Sequence, residues 1–457
     1  MIISVDPSTG AEVACFEPHS HEAVETALSD AVSAQAGWAR RPVAERANLL
    51  RAMARSLRGG KARYARLITE EMGKPLGEAE AEVEKCAWNC DFYAEHGPAF
   101  LADEPTPSGA RESAVVFDPL GVVLAVMPWN YPFWQFFRFA APALLAGNGA
   151  LLKHANNVPR CALAVEDVMR GAGCPEGLFR TLLVKSEAVA GLIADDRIAA
   201  VTFTGSTEVG AIIAAAAGRA IKKQVLELGG SDPFIVLADA DIEAAAATAV
   251  KARFTNAGQS CINAKRFIVE EAVADRFADA FCAGAARLKV GSPLAPGTDI
   301  GPMARGSLRD VLHDQVERSV KAGAVLRLGG SPVEGVGYFY LPTVLDHVAP
   351  HMAVACEETF GPVAAIIRVK TAEEAVRVAN ATEFGLGAAL WTADVARGRT
   401  MARRIEAGAV FINGMTASDP RLPFGGIKKS GYGRELGVYG IREFVNIKSV
   451  WIGPAQD

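Results

Sequence analysis

No stretch of this sequence is apolar for long enough to span a bilayer, and its opening, MIISVDPSTG, has no basic segment followed by an apolar run. A membrane helix needs about 20 predominantly apolar residues in a row, and a secretory leader needs both of the missing features. The protein is therefore expected to be cytoplasmic, with no membrane partner. Blocks of lysine and arginine are missing too, and the formal net charge is −5. Such a chain exerts no long-range attraction on phosphate backbones or anionic lipid, which excludes nucleic acid as an expected partner. Close cysteine pairs are also lacking: the eight cysteines stand at 15, 86, 90, 161, 174, 261, 282 and 356. That scatter suits reduced thiols and neither a disulfide framework nor a zinc site. Cys86 and Cys90 would share a helical face, but no histidine stands at ligand spacing, so packing is expected there and no metal is assigned.

What is present is the composition of a folded α/β protein: half the residues apolar, 22% charged, and 44 glycines in 457 residues. The length exceeds one ordinary core and calls for two or three packed units. From His21 to Ala99 the chain is rich in Ala, Glu and Arg at helical spacing, which reads as several surface helices. ADEPTPSGARES, between Ala102 and Ser113, has the composition of a linker, and SAVVFDP and GVVLAVMPWN after it read as strands. Helical and strand patterns then alternate through FFRFAAPALLAG, ALLKHA, TLLV, AAVTFTGS and QVLELGG, the signature of a parallel sheet wrapped by helices. A second set, with strands FIVL, RFIV, AVLRLGG and VAAIIRV, begins near Pro233, and KSVWIG ends the chain as a β-prone segment that needs a partner.

Four segments carry groups suited to chemistry. In FTNAGQSCINAKR, Cys261 follows small and polar residues instead of sitting in an apolar helix stripe. A thiol with a reference pKa of about 8.5 needs a polarising setting to act as a nucleophile, and a lone cysteine is more often inert packing. In VLELGGSDPFIV, Glu227 closes a β-like run just before Gly229 and Gly230, whose lack of side chains permits close backbone approach. Glu227 is then either a carboxylate facing a cleft or a surface residue at a strand end. In MPWNYPFWQ, Pro128 and Pro132 restrict the backbone around Asn130, a neutral amide able to hold an oxyanion; a proline-rich turn with aromatic packing is the alternative. In VTFTGSTEVG, a strand leads through Gly205 and Ser206 into a helix, which resembles a phosphate-binding turn without the spacing of the usual dinucleotide fingerprint or of a P-loop.

PWN, LLKHA, FTGSTEVG, LELGG, GQSC, EETFGP and LPFGGIKKSGYGREL occur together in the order found in the aldehyde dehydrogenase superfamily, and the resemblance covers nearly the whole chain. It implies a Rossmann-like cofactor domain over residues 1–100 and 119–229, an α/β catalytic domain over 230–431, and a small β bridging element over 101–118 and 432–457 that builds homodimers or homotetramers. It further implies that Cys261 attacks an aldehyde, that Asn130 holds the oxyanion, and that Glu227 activates the water that hydrolyses the thioester. NADP or NAD would lie along Trp129, Lys153, Asn156, Gly205, Ser206, Glu358 and Phe360. Asn156 stands where many NAD-preferring relatives carry a glutamate for the ribose hydroxyls, so a 2′-phosphate meets no carboxylate there. Phe139 stands where several relatives have a lysine in a proposed proton relay with the glutamate matching Glu435, which puts that relay in doubt.

Within the superfamily the pattern resembles bacterial NAD(P)-dependent succinate-semialdehyde dehydrogenases. Arg138 and Ser418 match substrate-tunnel positions, and an arginine with a hydroxyl offers charge-assisted hydrogen bonds to a carboxylate at the far end of an aldehyde. Trp134 would line the methylene chain, although core packing suits it equally. Arg138 has its own alternative, an ion pair at a domain interface. The competing functions are oxidation of another small aldehyde, a coenzyme A-acylating enzyme, which commonly lacks the base matching Glu227, and a homologue without catalysis.

Overall fold

The computed structural model describes residues 1–453. Residues 454–457, the end of the segment expected to bridge subunits, lie outside the described residues. A six-stranded sheet runs in the order Gly431–Tyr432, Lys223–Glu227, Ile198–Thr204, Val122–Met127, Gly149–His154 and Phe179–Thr181. Every pair is parallel except the first, where the returning C-terminal chain lies antiparallel along Lys223–Glu227. All residues of Val122–Met127 and Gly149–His154 are buried. Central parallel strands covered on both faces have no solvent side, which is why VVLAVM is a continuous apolar run and not an alternating one.

A seven-stranded sheet orders Val325–Leu328, Thr343–Asp346, Val363–Val369, Ala264–Glu270, Asp232–Val236, Gly387–Trp391 and Ala409–Ile412, with its first pair antiparallel and the rest parallel. The α/β class expected from the alternating pattern therefore holds for both sheets. In a third, small sheet, Val445–Ile452 pairs antiparallel with Glu112–Pro119, so that Trp451 faces Ser113 and Val445 faces Pro119. Its C-terminal strand leaves Ile447, Val450, Trp451 and Ile452 exposed.

The four N-terminal helices, His21–Ala39, Val43–Gly59, Lys61–Met72 and Leu76–Phe100, depart from the expectation of surface helices. Leu50, Met53, Ile68, Val83, Cys86, Cys90 and Tyr93 pack into the same core as the helix Trp134–Ala146, all thirteen residues of which are buried. Leu76–Phe100 hides because its alanines and scattered charges dilute the apolar stripe, yet it lies directly against the helix that follows Asn130. Among the described residues no helix is long and apolar enough to cross a membrane, and no cluster of His, Cys, Asp and Glu is arranged to hold a metal.

Candidate active site

The segment before Cys261 is bent by three consecutive residues in left-handed conformation, Asn256 (φ 56°), Ala257 (φ 51°) and Gly258 (φ 72°). Non-glycine residues adopt that region at a cost, and such turns persist only where the surroundings hold them. Here the holding groups are buried. Asn256 donates from Nδ2 to the carbonyls of Asn130 (3.0 Å) and Gln259 (3.1 Å), and its backbone N–H donates to Glu78 (2.8 Å). Arg253 spans the carbonyls of Gly258, Ala264, Thr359 and Gly361. Lys265 donates to the carbonyls of Cys261 (2.8 Å) and Gly230 (2.6 Å) and to Glu358 (3.1 Å).

The glycines of LELGG make this assembly possible. A side chain at Gly230 would begin 2.7 Å from the carbonyl oxygen of Cys261, and one at Gly229 would begin 2.6 Å from a Glu358 carboxylate oxygen. Glu227, two residues earlier, is 1% exposed, and among the described residues neither of its oxygens has a hydrogen-bond partner. Burial raises its carboxyl to about 8 against the pull of Arg138, and the neighbouring Glu435 adds to the rise. Asn130 is likewise buried, and its Nδ2 donates to the Gln259 carbonyl at 3.1 Å. Desolvation pushes the Cys261 thiol up to about 12, with Arg138 and Lys265 pulling the other way. A half-buried thiol, a buried carboxylate and an amide joined to the thiol's own loop thus come from three separate segments, a set suited to covalent acyl chemistry.

Cys261 opens on a cavity of about 350 Å³ whose wall includes Lys85, Trp134, Arg138, Ser418 and Phe424. Arg138 faces this cavity but carries a partner of its own: its Nε lies 2.5 Å from Glu435 Oε2, and both side chains are buried. Arg138 Nη2 also donates to Thr204 Oγ1 at 3.4 Å. Ser418 accepts a hydrogen bond from Lys85 at 2.6 Å. Glu435, set aside in the sequence reading together with its relay, is thereby a neighbour of both Arg138 and Glu227.

Of the residues assigned to a dinucleotide, Trp129, Lys153 and Ser206 stand at or just beyond the C-terminal ends of the neighbouring parallel strands Val122–Met127, Gly149–His154 and Ile198–Thr204. Ser206 caps the helix Thr207–Arg219 by accepting from the Val209 N–H, while the Gly205 N–H donates to the Glu227 carbonyl. Lys153 reaches Asn156 Oδ1 at 3.0 Å, and among the described residues no carboxylate lies within ion-pair distance of it. Trp129 meets Phe360 edge to face at 5.7 Å, and Glu358 accepts from the Gly230 N–H. A helix N-terminus, a cation without a carboxylate, two aromatic rings and an acceptor for ribose hydroxyls fit a pyrophosphate-bridged dinucleotide.

The aldehyde dehydrogenase family model matches residues 1–450. The chain belongs to the aldehyde dehydrogenase family. It is 50% identical over 449 residues to the succinate semialdehyde dehydrogenase [NAD(P)+] of Escherichia coli K12, with 98% of this chain and 97% of that protein covered. A probable succinate-semialdehyde dehydrogenase [NADP(+)] of Synechocystis is 51% identical, with 99% of each covered. The solved structure of succinic semialdehyde dehydrogenase from Streptococcus pyogenes, in complex with NADP+, superposes with a TM-score of 0.97 at 35% identity, covering 99% of this chain and all of that one. Sequence reading of this aldehyde dehydrogenase missed Lys85, Arg253, Asn256 and Lys265. For Lys265 a signal existed: a lysine and an arginine at the start of AKRFIVE, an otherwise apolar strand, require buried partners.

Proposed function

We propose that this chain oxidises succinate semialdehyde to succinate with NADP or NAD. The observation that carries the reading is the cavity beside Cys261, whose wall sets the cations Lys85 and Arg138 and the hydroxyl of Ser418 among apolar residues, with Glu78 and Glu82 also in the lining. An aldehyde that ends in a carboxylate matches that distribution, and the named relatives agree with it.

In this mechanism the Cys261 thiol gives its proton to solvent water as the sulfur attacks the carbonyl carbon, and the Asn130 amide with the Cys261 backbone N–H holds the oxyanion. The bound nicotinamide cofactor supplies the acceptor for the hydride that leaves the former aldehyde carbon. Glu227 then takes a proton from the water that attacks the thioester, the carbon–sulfur bond breaks, and the acid departs. Trp129, Lys153, Asn156, Gly205, Ser206, Glu358 and Phe360 hold the dinucleotide. In this reading residues 1–100 and 119–229 form the cofactor domain and 230–431 the catalytic domain, with Gly431–Tyr432 completing the cofactor sheet, and the exposed apolar side chains of Val445–Ile452 are the surface for homodimers or tetramers.

The test is cofactor reduction with succinate semialdehyde and with butanal, each with and without coenzyme A. Strong preference for the semialdehyde, independent of coenzyme A, is the expected result. Equal rates with both aldehydes would overturn the substrate, and dependence on coenzyme A would overturn hydrolysis by Glu227.

A further inference from the structure

Two carboxylates one helical turn apart on Leu76–Phe100 reach the two loops that carry the reacting groups. Glu82 Oε1 accepts the N–H groups of Phe133 (2.9 Å) and Trp134 (3.0 Å), at the head of the helix that follows Asn130. Its other oxygen is held by Lys74 in a buried ion pair, and the Lys74 ammonium lies 3.6 Å from the ring centre of Tyr131, next to Asn130. Glu78 Oε2 accepts the N–H of Asn256 at 2.8 Å, the first of the three left-handed residues before Cys261. Asn256 passes that hold on: its side chain donates to the carbonyls of Asn130 and Gln259, and the Gln259 carbonyl also accepts from the Asn130 amide.

The two carboxylates differ in what fixes their charge. Glu82 has Lys74, whereas among the described residues no cation lies within ion-pair distance of Glu78. Glu78 stands half-buried where the cavity beside Cys261 adjoins a second cavity of about 690 Å³, and Lys251 and Thr255 also line both.

We propose that Glu78, as a carboxylate, is the positioning residue that sets the turn bearing Cys261, and that Glu82 is its fixed counterpart for the loop bearing Asn130. The inference rests on the reading of Cys261 as the nucleophile and adds a control on where the thiol sits. Asn256 and Ala257 are not glycine, so the left-handed turn is kept by the bonds made to it and not by its own preference. An ionised acceptor holds a backbone N–H more strongly than a neutral one, and a displaced turn takes the sulfur out of line with the carbonyl it attacks.

The surroundings make that hold depend on pH. Burial raises the Glu78 carboxyl to about 7, while Lys74 and the Asn256 N–H pull it down and Asp299 and Glu82 push it up. Glu80, Lys251 and the phenol of Tyr131 are the remaining ionisable groups on the elements packed around it. Protonation as pH falls through about 7 weakens the bond to Asn256, so Cys261 loses its placement on the acid side.

The experiment compares the wild type with E78Q between about pH 6 and about pH 9 in two rates: alkylation of Cys261 by iodoacetamide, and the stopped-flow burst of reduced cofactor. Glutamine keeps the shape of the side chain and stays neutral throughout. The two enzymes should therefore react alike near pH 6, and the wild type should lead by roughly tenfold above about pH 8 in both rates. The sign discriminates, because a carboxylate that acted on the thiol only through its charge would disfavour the thiolate and make the wild type the slower enzyme. A ratio of wild type to E78Q that stays flat with pH, or falls below one, overturns the role of Glu78 and leaves the chemistry of Cys261 intact. Should E78Q melt far below the wild type, hydrogen–deuterium exchange over residues 254–261 of the wild type decides. Protection there, relative to the intrinsic exchange rate, should grow severalfold as pH rises through about 7, and unchanged protection overturns the inference. An enzyme that still oxidises aldehyde after complete alkylation of Cys261 overturns the nucleophile itself, and the inference with it.

Discussion

Arg138 and Glu435 form a buried ion pair, Nε to Oε2 at 2.5 Å, within the electrostatic reach of Glu227. The arginine that sequence alone assigns to the substrate thus also pairs with one buried carboxyl and lies within reach of a second while it lines the cavity. Removing one partner of a buried pair typically costs about 3–5 kcal/mol, because the other charge is left without compensation. Arg138→Leu should therefore lower the unfolding midpoint and reduce kcat/KM for charged and neutral aldehydes alike. Denaturant unfolding and kinetics with both aldehydes check this. A selective loss of the semialdehyde at full stability would assign the substrate carboxylate to Arg138.

Glu227 is the second test. Because burial raises its carboxyl to about 8, the group is mostly protonated at neutral pH and becomes a base as pH rises. Thioester hydrolysis should accelerate through that range, so where deacylation limits turnover kcat climbs toward pH 8 and levels above it. Glu227→Gln should abolish that limb while retaining one burst of reduced cofactor per site, visible by stopped flow. A variant without the burst would assign Glu227 to the attack of Cys261, whose own thiol is held at about 12.

How much of this was legible in the sequence depended on whether the signal was local. Strands buried on both faces announced themselves as apolar runs: RFIV lies in Ala264–Glu270 and VAAIIRV is Val363–Val369. TLLV was legible only in part, because the chain leaves the sheet after Thr181. Cys261, Glu227 and Asn130 were recognisable through ordered motifs, and the glycines after Glu227 through the close approach they allow. Lys85 carried no such mark: it sits in AEVEKCAWNC, a helical run with charges at several positions, and only the packing of that helix against Trp134–Ala146 turns it toward Ser418. The Arg138–Glu435 pair likewise joins residues nearly three hundred positions apart, a separation at which periodicity is silent.

Cofactor choice follows from Asn156. Its Oδ1 accepts from Lys153 at 3.0 Å, leaving the lysine's charge without a carboxylate partner at that distance among the described residues. A ribose 2′-phosphate therefore meets a cation and a neutral amide, and NADP should be used at least as well as NAD. Asn156→Glu would pair with Lys153 and repel the phosphate, shifting the ratio of kcat/KM toward NAD by roughly tenfold or more, as one charge–charge contact of ~1–2 kcal/mol allows. Unchanged cofactor preference in that variant would place the selection elsewhere in the groove.

The left-handed turn before Cys261 gives the last prediction. Gly258 has φ 72°, and an added side chain would begin 2.2 Å from the carbonyl oxygen of Gly361, an oxygen that also accepts from Arg253. Gly258→Ala must therefore displace backbone on one side or the other, in addition to the ~1 kcal/mol that a left-handed alanine costs. The displaced loop carries Gln259, whose carbonyl holds the Asn130 amide and whose side chain accepts from Ala304 at 2.9 Å. Loss of geometry should reach both the nucleophile and its oxyanion donor, so kcat should fall at least a hundredfold, the scale of losing an oxyanion donor, while dinucleotide binding on the far side persists. Cofactor titration by fluorescence alongside alkylation of Cys261 separates these effects. A variant that binds cofactor, alkylates at the wild-type rate and turns over normally would mean that the turn is dispensable to the thiol it precedes.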